Sequence, residues 1–126
     1  MGKSILLLVS DSLMLSVMRE TLEREGYLVF PAGELGTAVK WLNDSTPDLL
    51  ITRTYVSGMP GHEAAKYLRN KCPHMRVLMV GGLLEDDRLK YRMALERFEV
   101  FPKPYTSAQL IEKVKEVLGK VDGKTQ

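Results

Sequence analysis

The chain has 126 residues, of which 44% are hydrophobic and 27% are charged, as in a single compact globular domain and unlike a disordered or fibrous chain. Its 18 basic and 16 acidic residues give a net charge of +2, which is too balanced to argue for binding to nucleic acid or to an anionic membrane. The single cysteine, Cys72, excludes an internal disulfide and a cysteine metal cluster and fits a reducing, cytoplasmic location.

The first predicted strand leads directly into the first predicted helix. Ile5 to Val9 is a continuous apolar run of strand length, and Asp11 and Ser12 after it are good N-cap residues. Gly26 stands where a glycine commonly ends a helix. The apolar positions between these signals are Met14, Val17, Met18, Thr21 and Leu22. The pattern predicts a buried strand followed by an amphipathic helix.

The same unit then recurs, and a third strand follows it. Tyr27 to Phe30 is the second strand segment, and Leu49 to Thr52 is the third. The helix between them carries an apolar stripe at Leu35, Ala38, Val39 and Leu42. Residues predicted to pack in the interior, and not to bind a ligand, are Met14, Met18, Trp41, Cys72 and Met93.

The middle of the chain continues this alternation. Glycine and proline at 58 to 61 precede a helix with apolar positions 64, 65 and 68, and Cys72-Pro73 ends it. Val77 to Val80 is the fourth strand, and it runs into Gly81-Gly82. The segment Glu85 to Arg97 is dense in charge and has a poor apolar stripe, so it is predicted to be a weakly anchored helix.

The last strand and helix complete the pattern. Phe98 to Phe101 is the fifth strand, and Thr106 with Gln109 forms a capping box before a final amphipathic helix. Five strands alternating with five helices predict an α/β fold, with a doubly wound five-stranded parallel sheet covered on both faces. We expect one domain over residues 1–119, and a flexible tail or linker stub over residues 120–126.

The sequence shows no sign of several common sites and segments. Ile5 to Val9 is far shorter than the roughly 18 residues of a membrane span, and no cleavage site follows it, which predicts a soluble, unexported protein. His62 and His74 have no close metal-ligating partners and are expected on the surface or in loops. Neither a glycine-rich phosphate loop nor a Ser/His/acid set is present. We therefore expect no enzyme activity, no metal and no cofactor.

Four short motifs indicate a family. They are EREGY at 23–27, PDLLI at 47–51, SGMPG at 57–61 and FPKPY at 101–105. With their nearly gapless spacing, they make residues 5–118 resemble a two-component response-regulator receiver domain, which implies the (βα)5 flavodoxin-like fold. In this family an aspartate ending the third strand accepts a phosphoryl group from a histidine kinase, aided by Mg²⁺ held by an acidic pair after the first strand. A hydroxyl residue and a lysine then sense the phosphate.

The resemblance implies that the phosphorylation site is degenerate. The phosphoacceptor position is Arg53, and the acidic pair falls on Val9 and Ser10, or on Ser10 and Asp11 if the alignment shifts by one residue. A complete pocket carries a charge of about −2, whereas Asp11, Arg53 and a retained lysine give about +1. Arginine neither holds Mg²⁺ nor accepts a phosphoryl group, so the magnesium-assisted reaction is not expected here.

The family's switch positions are also altered. The hydroxyl position is Gly81 and the aromatic position is Val100, whereas Lys103 and Pro104 match the pattern. The Lys-Pro bond resembles one that the family commonly holds in cis. Gly81-Gly82 is expected to form a tight turn, and the alternative is that it frees the next helix to move. Arg53 has two open interpretations: it pairs with Asp11, or it extends into solvent.

Three functions remain open. The leading hypothesis is a pseudo-receiver, a signal-transduction module that acts without aspartyl phosphorylation by contacting a kinase, an output domain or a second copy of itself, and not nucleic acid or a membrane. The second is a switch modified at another hydroxyl residue near the lost aspartate, namely Thr52, Thr54, Tyr55 or Ser57. The third is a sensor of small anions or nucleotides that uses the positive pocket at Arg53.

Overall fold

The computed structural model describes residues 2–56, 58–81, 94–101 and 105–119. Its strands are β1 (Ser4–Leu8), β2 (Leu28–Ala32), β3 (Leu49–Arg53), β4 (Tyr55–Val56), β5 (Met59–Pro60), β6 (Arg76–Val80) and β7 (Phe98–Phe101). Its helices are α1 (Ser12–Arg24), α2 (Leu35–Asp44), α3 (Gly61–Lys71) and α4 (Ser107–Gly119).

Five of these strands form one parallel sheet in the order β2-β1-β3-β6-β7. The three inner strands consist almost entirely of apolar residues because both of their faces are buried. Residues 5–8 of β1, for example, have no exposed surface. The predicted doubly wound, five-stranded parallel sheet of the flavodoxin-like fold is therefore confirmed.

The core consists of two layers, one on each face of the sheet. Successive residues of a strand point to opposite faces, so Leu6 and Leu8 enter one layer while Ile5 and Leu7 enter the other. Residues of α2 and α3 cover the first layer, and residues of α1 and α4 cover the second. The sheet is thus enclosed on both sides, and its strand ends are left to form sites.

Several local predictions are confirmed. The Thr106 and Gln109 side chains cap α4 reciprocally, because each accepts a hydrogen bond from the other's backbone N–H, at 2.8 and 3.1 Å. Trp41 packs against the first core layer, and its Nε1–H donates to the Pro31 carbonyl oxygen at 2.8 Å. Cys72 is buried.

Other local features differ from the predictions. Val17 was expected on the buried face of α1, but it is 51% exposed, because the face that meets the sheet is narrower and buries Met18 and Leu22. The hairpin of β4 and β5 was not predicted, since each strand has two residues and carries no periodicity. Most of the predicted helix 85–97, including Met93, and the predicted tail 120–126 lie outside the described residues. Within the described ranges, no helix has the length and apolarity to cross a membrane.

Candidate functional site at the carboxyl edge of the sheet

Val9, Arg53 and Gly81, three of the positions singled out in the sequence, come together at one edge of the sheet. Leu8 of β1 lies beside Thr52 of β3, and Arg53 lies beside Val80 of β6. Val9 and Gly81 directly follow these strands, so they are close to Arg53. This is the edge at which doubly wound sheets bind ligands.

Val9 and Ser10, the first alignment of the acidic pair, supply no carboxylate. Val9 is fully buried in the second core layer, and Ser10 is exposed. Asp11, the next residue, is the N-cap of α1, where its Oδ1 accepts a hydrogen bond from the Met14 N–H at 2.9 Å. The one carboxylate at this loop therefore caps a helix.

Arg53 takes neither of the two arrangements expected for it. Its side chain is half-buried, and Nη1 donates to the Met14 sulfur at 3.2 Å. No ion pair joins Arg53 to Asp11 among the described side chains. The pairing was a reasonable expectation from charge alone, but the packing of α1 places the thioether of Met14 next to the guanidinium, while Asp11 bonds to the helix backbone.

Tyr105 is a second neighbour of the Arg53 guanidinium. Burial raises the pKa of the Tyr105 hydroxyl, and the positive charge of Arg53 opposes that rise. The Tyr105 ring also packs on the ring of Phe101, with centroids 5.1 Å apart. Sequence analysis missed both neighbours of Arg53. A signal existed for Met14, because it lies three residues after the N-cap of α1, in the helical turn nearest to this edge.

The start of α3 packs directly on the backbone of Arg53. The Gly61 N–H donates to the Thr54 carbonyl oxygen at 2.8 Å. A β-carbon on residue 61 would lie 1.9 Å from the Arg53 carbonyl oxygen. Only glycine fits here, so residue 61 helps to fix the position of Arg53.

The hydroxyl residues near Arg53 differ in access. Thr52 has no exposed surface, and its Oγ1 donates to the Arg53 carbonyl oxygen at 3.2 Å. Thr54 is half-buried, and Tyr55 is 63% exposed. Ser57 lies outside the described residues. Of the three hydroxyl groups whose surroundings are described, Tyr55 is the one most open to a modifying enzyme.

The predicted switch positions are partly described. Gly81 has φ +82°, and its N–H donates to the Phe101 carbonyl oxygen at 2.9 Å, which agrees with a tight turn after β6. A hydroxyl-bearing residue would be strained at this φ. Val100 is partly buried and packs against the first core layer. Gly82, Lys103 and Pro104 lie outside the described residues.

This edge does not fit a magnesium ion. Mg²⁺ requires oxygen ligands, usually one or two carboxylates, and the described side chains here offer Asp11, which caps α1, beside a positive guanidinium. Across the described part of the chain, no three His, Cys, Asp or Glu residues are grouped so that they could hold a metal. We therefore derive no metal-dependent step for this site.

The capping role of Asp11 gives a first prediction. Asp11→Ala should lower the free energy of unfolding by about 1 kcal/mol, because the Met14 N–H loses its acceptor. Asp11→Asn should cost little, since asparagine also caps helices well. Urea denaturation of both variants measures these changes. Equal losses of unfolding free energy in the two variants would contradict the capping role. They would show that the negative charge of the carboxylate matters instead, as it would in an ion pair with Arg53.

Comparison with known proteins agrees with the doubly wound fold described above. Residues 5–115 match the family described as "Response regulator receiver domain". The chain is 25% identical over 118 residues to the alkaline phosphatase synthesis transcriptional regulatory protein PhoP of Bacillus subtilis, covering 94% of this chain and 49% of PhoP. It is 28% identical over 125 residues to the sensor kinase CckA of Brucella abortus, covering 96% of this chain and 13% of CckA.

A solved structure shows the same likeness. The CheY-like response regulator receiver domain protein of Methanospirillum hungatei superposes with a TM-score of 0.83 at 25% identity, covering 94% of this chain and 95% of that one. The chain thus spans about half or less of the two curated relatives named, but nearly all of this single receiver domain.

Proposed function

The chain belongs to the response regulator receiver domain family, and we propose that it acts in two-component signalling as a pseudo-receiver, an interaction module that needs no phosphorylated aspartate. The observation that carries the proposal is Arg53 at the end of β3. A guanidinium stays protonated and has no oxygen that could accept a phosphoryl group. In this proposal, signalling depends on contacts that the chain makes without a phosphoryl group at residue 53.

The surroundings of Arg53 support the same proposal. The guanidinium contacts the Met14 sulfur and lies near Tyr105, so it links β3 to α1 and to the residues before α4. Val9 is apolar and buried where an acid would have to hold a cation. We infer that these contacts hold the carboxyl edge in one state.

The partner that we propose is another protein. On α1, Leu13 and Val17 lie one turn apart and are 74% and 51% exposed. They border a cavity of about 360 Å³ that Met14, Met18 and Tyr105 also line. Contiguous exposed apolar patches, unlike single exposed apolar residues, mark protein–protein interaction sites. A kinase, an output domain or a second copy of the chain would each be a suitable partner for this surface.

The single cysteine, which permits no internal disulfide, favours a cytoplasmic setting for these contacts.

Treatment with acetyl phosphate and Mg²⁺ tests the proposal. The protein mass should not change, and beryllofluoride with Mg²⁺ should leave its backbone amide NMR spectrum unaltered, because residue 53 offers no carboxylate. A receiver domain with an intact acceptor aspartate, treated in parallel, should gain one phosphoryl group. The same gain in this chain would overturn the proposal.

A second candidate is a switch modified at a hydroxyl residue. The exposure of Tyr55, two residues after Arg53 on the short strand β4, favours it. Mass analysis of the protein isolated from its native cell tests this candidate. A phosphorylated Tyr55 would support it, and an unmodified residue 55 under signalling conditions would leave the pseudo-receiver.

A further inference from the structure

Two features of Met14 bear on the reactivity of its thioether. The sulfur accepts a hydrogen bond from Nη1 of Arg53 at 3.2 Å. The side chain is half-buried and lines the cavity of about 360 Å³ beside α1. Met18 lines the same cavity but is only 6% exposed. Met14 is therefore more open to a small solute than Met18 is.

The hydrogen bond between Arg53 and Met14 joins a strong donor to a weak acceptor. The guanidinium is always protonated and is best matched by oxygen acceptors, whereas a thioether sulfur accepts only weakly. Asp11, the N-cap of α1, does not replace the sulfur, because its Oδ1 accepts from the Met14 N–H. An oxygen atom bonded to the Met14 sulfur would give the guanidinium a better acceptor at the same place.

Oxidation by hydrogen peroxide supplies such an oxygen atom. A lone pair of the thioether sulfur attacks one oxygen of the peroxide, so that a sulfur–oxygen bond forms and the oxygen–oxygen bond breaks. The transferred oxygen gives its proton to the departing hydroxide, which leaves as water. Sulfur loses two electrons and the peroxide gains them. The product, methionine sulfoxide, is polar and can be reduced back to methionine by methionine sulfoxide reductases.

We propose that Met14 is a site of reversible oxidation by peroxide, at which the guanidinium of Arg53 binds the sulfoxide oxygen. Hydrogen bonds that involve a charged donor are roughly twice as strong as those between neutral groups. Both side chains are flexible, and the cavity beside Met14 leaves room for them to separate by the length of the new bond. The modification site does not depend on how the chain signals.

The expected effect on stability is opposite to that of oxidation in an apolar core. A sulfoxide disrupts such a core because its oxygen is polar. At Met14 the oxygen has a charged donor, and the stronger hydrogen bond connects α1 more firmly to the end of β3. Oxidation also makes part of the cavity bordered by Leu13 and Val17 polar. That change would alter the surface proposed above for a protein partner, and this consequence alone rests on the proposed function.

Limited treatment of the folded protein with hydrogen peroxide, followed by proteolysis and mass spectrometry, tests whether Met14 is the reactive residue. Met14 should gain one oxygen atom roughly tenfold faster than the buried methionines. These are Met18, Met75 and Met79, which are 6%, 1% and 1% exposed. The proposal fails if Met14 is oxidised no faster than they are.

The melting temperature before and after peroxide tests the role of Arg53. Relative to Met14→Leu, in which every other residue can still be oxidised, the unaltered protein should gain roughly 2–4 °C on treatment. In Arg53→Leu this gain should disappear. Met59→Leu is the matched control. Met59 is also half-buried, but it packs against the first core layer, so its sulfoxide should lower the melting temperature.

NMR of the unaltered protein gives a measurement that needs no substitution. The signals of the Arg53 side chain should move when Met14 is oxidised and return after treatment with a methionine sulfoxide reductase and dithiothreitol. Unmoved Arg53 signals in protein with oxidised Met14, or a fall in melting temperature that is the same with and without Arg53, would show that the guanidinium does not bind the sulfoxide.

Discussion

Gly61→Ala is expected to lower the free energy of unfolding by about 3 kcal/mol, the upper part of the range for overpacking a buried site. The new β-carbon would lie 1.9 Å from the Arg53 carbonyl oxygen and 3.0 Å from the Met79 methyl group. The methyl group can turn away, but the carbonyl belongs to the central strand β3 and cannot move without disturbing its neighbours. Urea denaturation gives the loss, and NMR shifts at residues 52–54 should show the displaced backbone.

Gly36→Ala is the matched control for this substitution. Gly36 also lies near the start of a helix, but nothing stands within 4 Å of its would-be β-carbon. Alanine favours helices over glycine by about 1 kcal/mol, so this variant should be neutral or more stable. Equal losses at positions 36 and 61 would show that the close approach at Arg53 does not constrain the fold.

The double variant Ser10→Asp with Arg53→Asp should bring Mg²⁺ binding from undetectable to measurable, in the millimolar range. Counted with Asp11, the two substitutions change the charge of these three positions from about 0 to about −3. They also supply oxygen ligands after β1 and at the end of β3. A rise in melting temperature with magnesium chloride, beyond that with sodium chloride of equal ionic strength, measures the gain.

A neutral pair of substitutions controls for the loss of the arginine. Ser10→Asn with Arg53→Asn has nearly the same shape and should not respond to Mg²⁺. If the aspartate pair does not respond either, Ser10 and residue 53 do not converge on one point. Restored phosphorylation is not expected from the aspartate pair, because Gly81 still lacks the hydroxyl and its φ of +82° would strain any residue that carried one.

The sheet and most helix ends could be predicted because their signals are local. An apolar run such as Ile5 to Val9 must be buried on both faces, and the Thr106 and Gln109 side chains satisfy backbone groups only three residues away. The β4–β5 hairpin could not be predicted in this way. Each of its strands has two residues, too few to show a period, and the close packing of Gly61 on the Arg53 carbonyl oxygen beside it is a tertiary contact.

In the candidate site, too, local features could be predicted from the sequence and tertiary contacts could not. The sequence shows the residue type at each position of the site, and these types indicate which chemical groups the site lacks. The direction of the Arg53 side chain could not be predicted from the sequence, because it depends on where α1 places Met14, 39 residues earlier.

Because Cys72 is buried, the reactivity of its thiol reports local unfolding of the chain. Burial raises the pKa of the thiol, and the residue lies at the end of α3, where its Sγ approaches the Pro47 carbonyl oxygen at 3.9 Å. The thiolate is the nucleophile that attacks a thiol reagent, so Cys72 reacts after this corner of the domain unfolds locally and exposes it. Because no other cysteine competes, the ratio of the labelling rate to that of a fully exposed thiol gives the free energy of that opening, under conditions in which reclosing is faster than labelling. The unaltered sequence thus permits a thiol-exchange experiment that most proteins allow only after cysteine replacement.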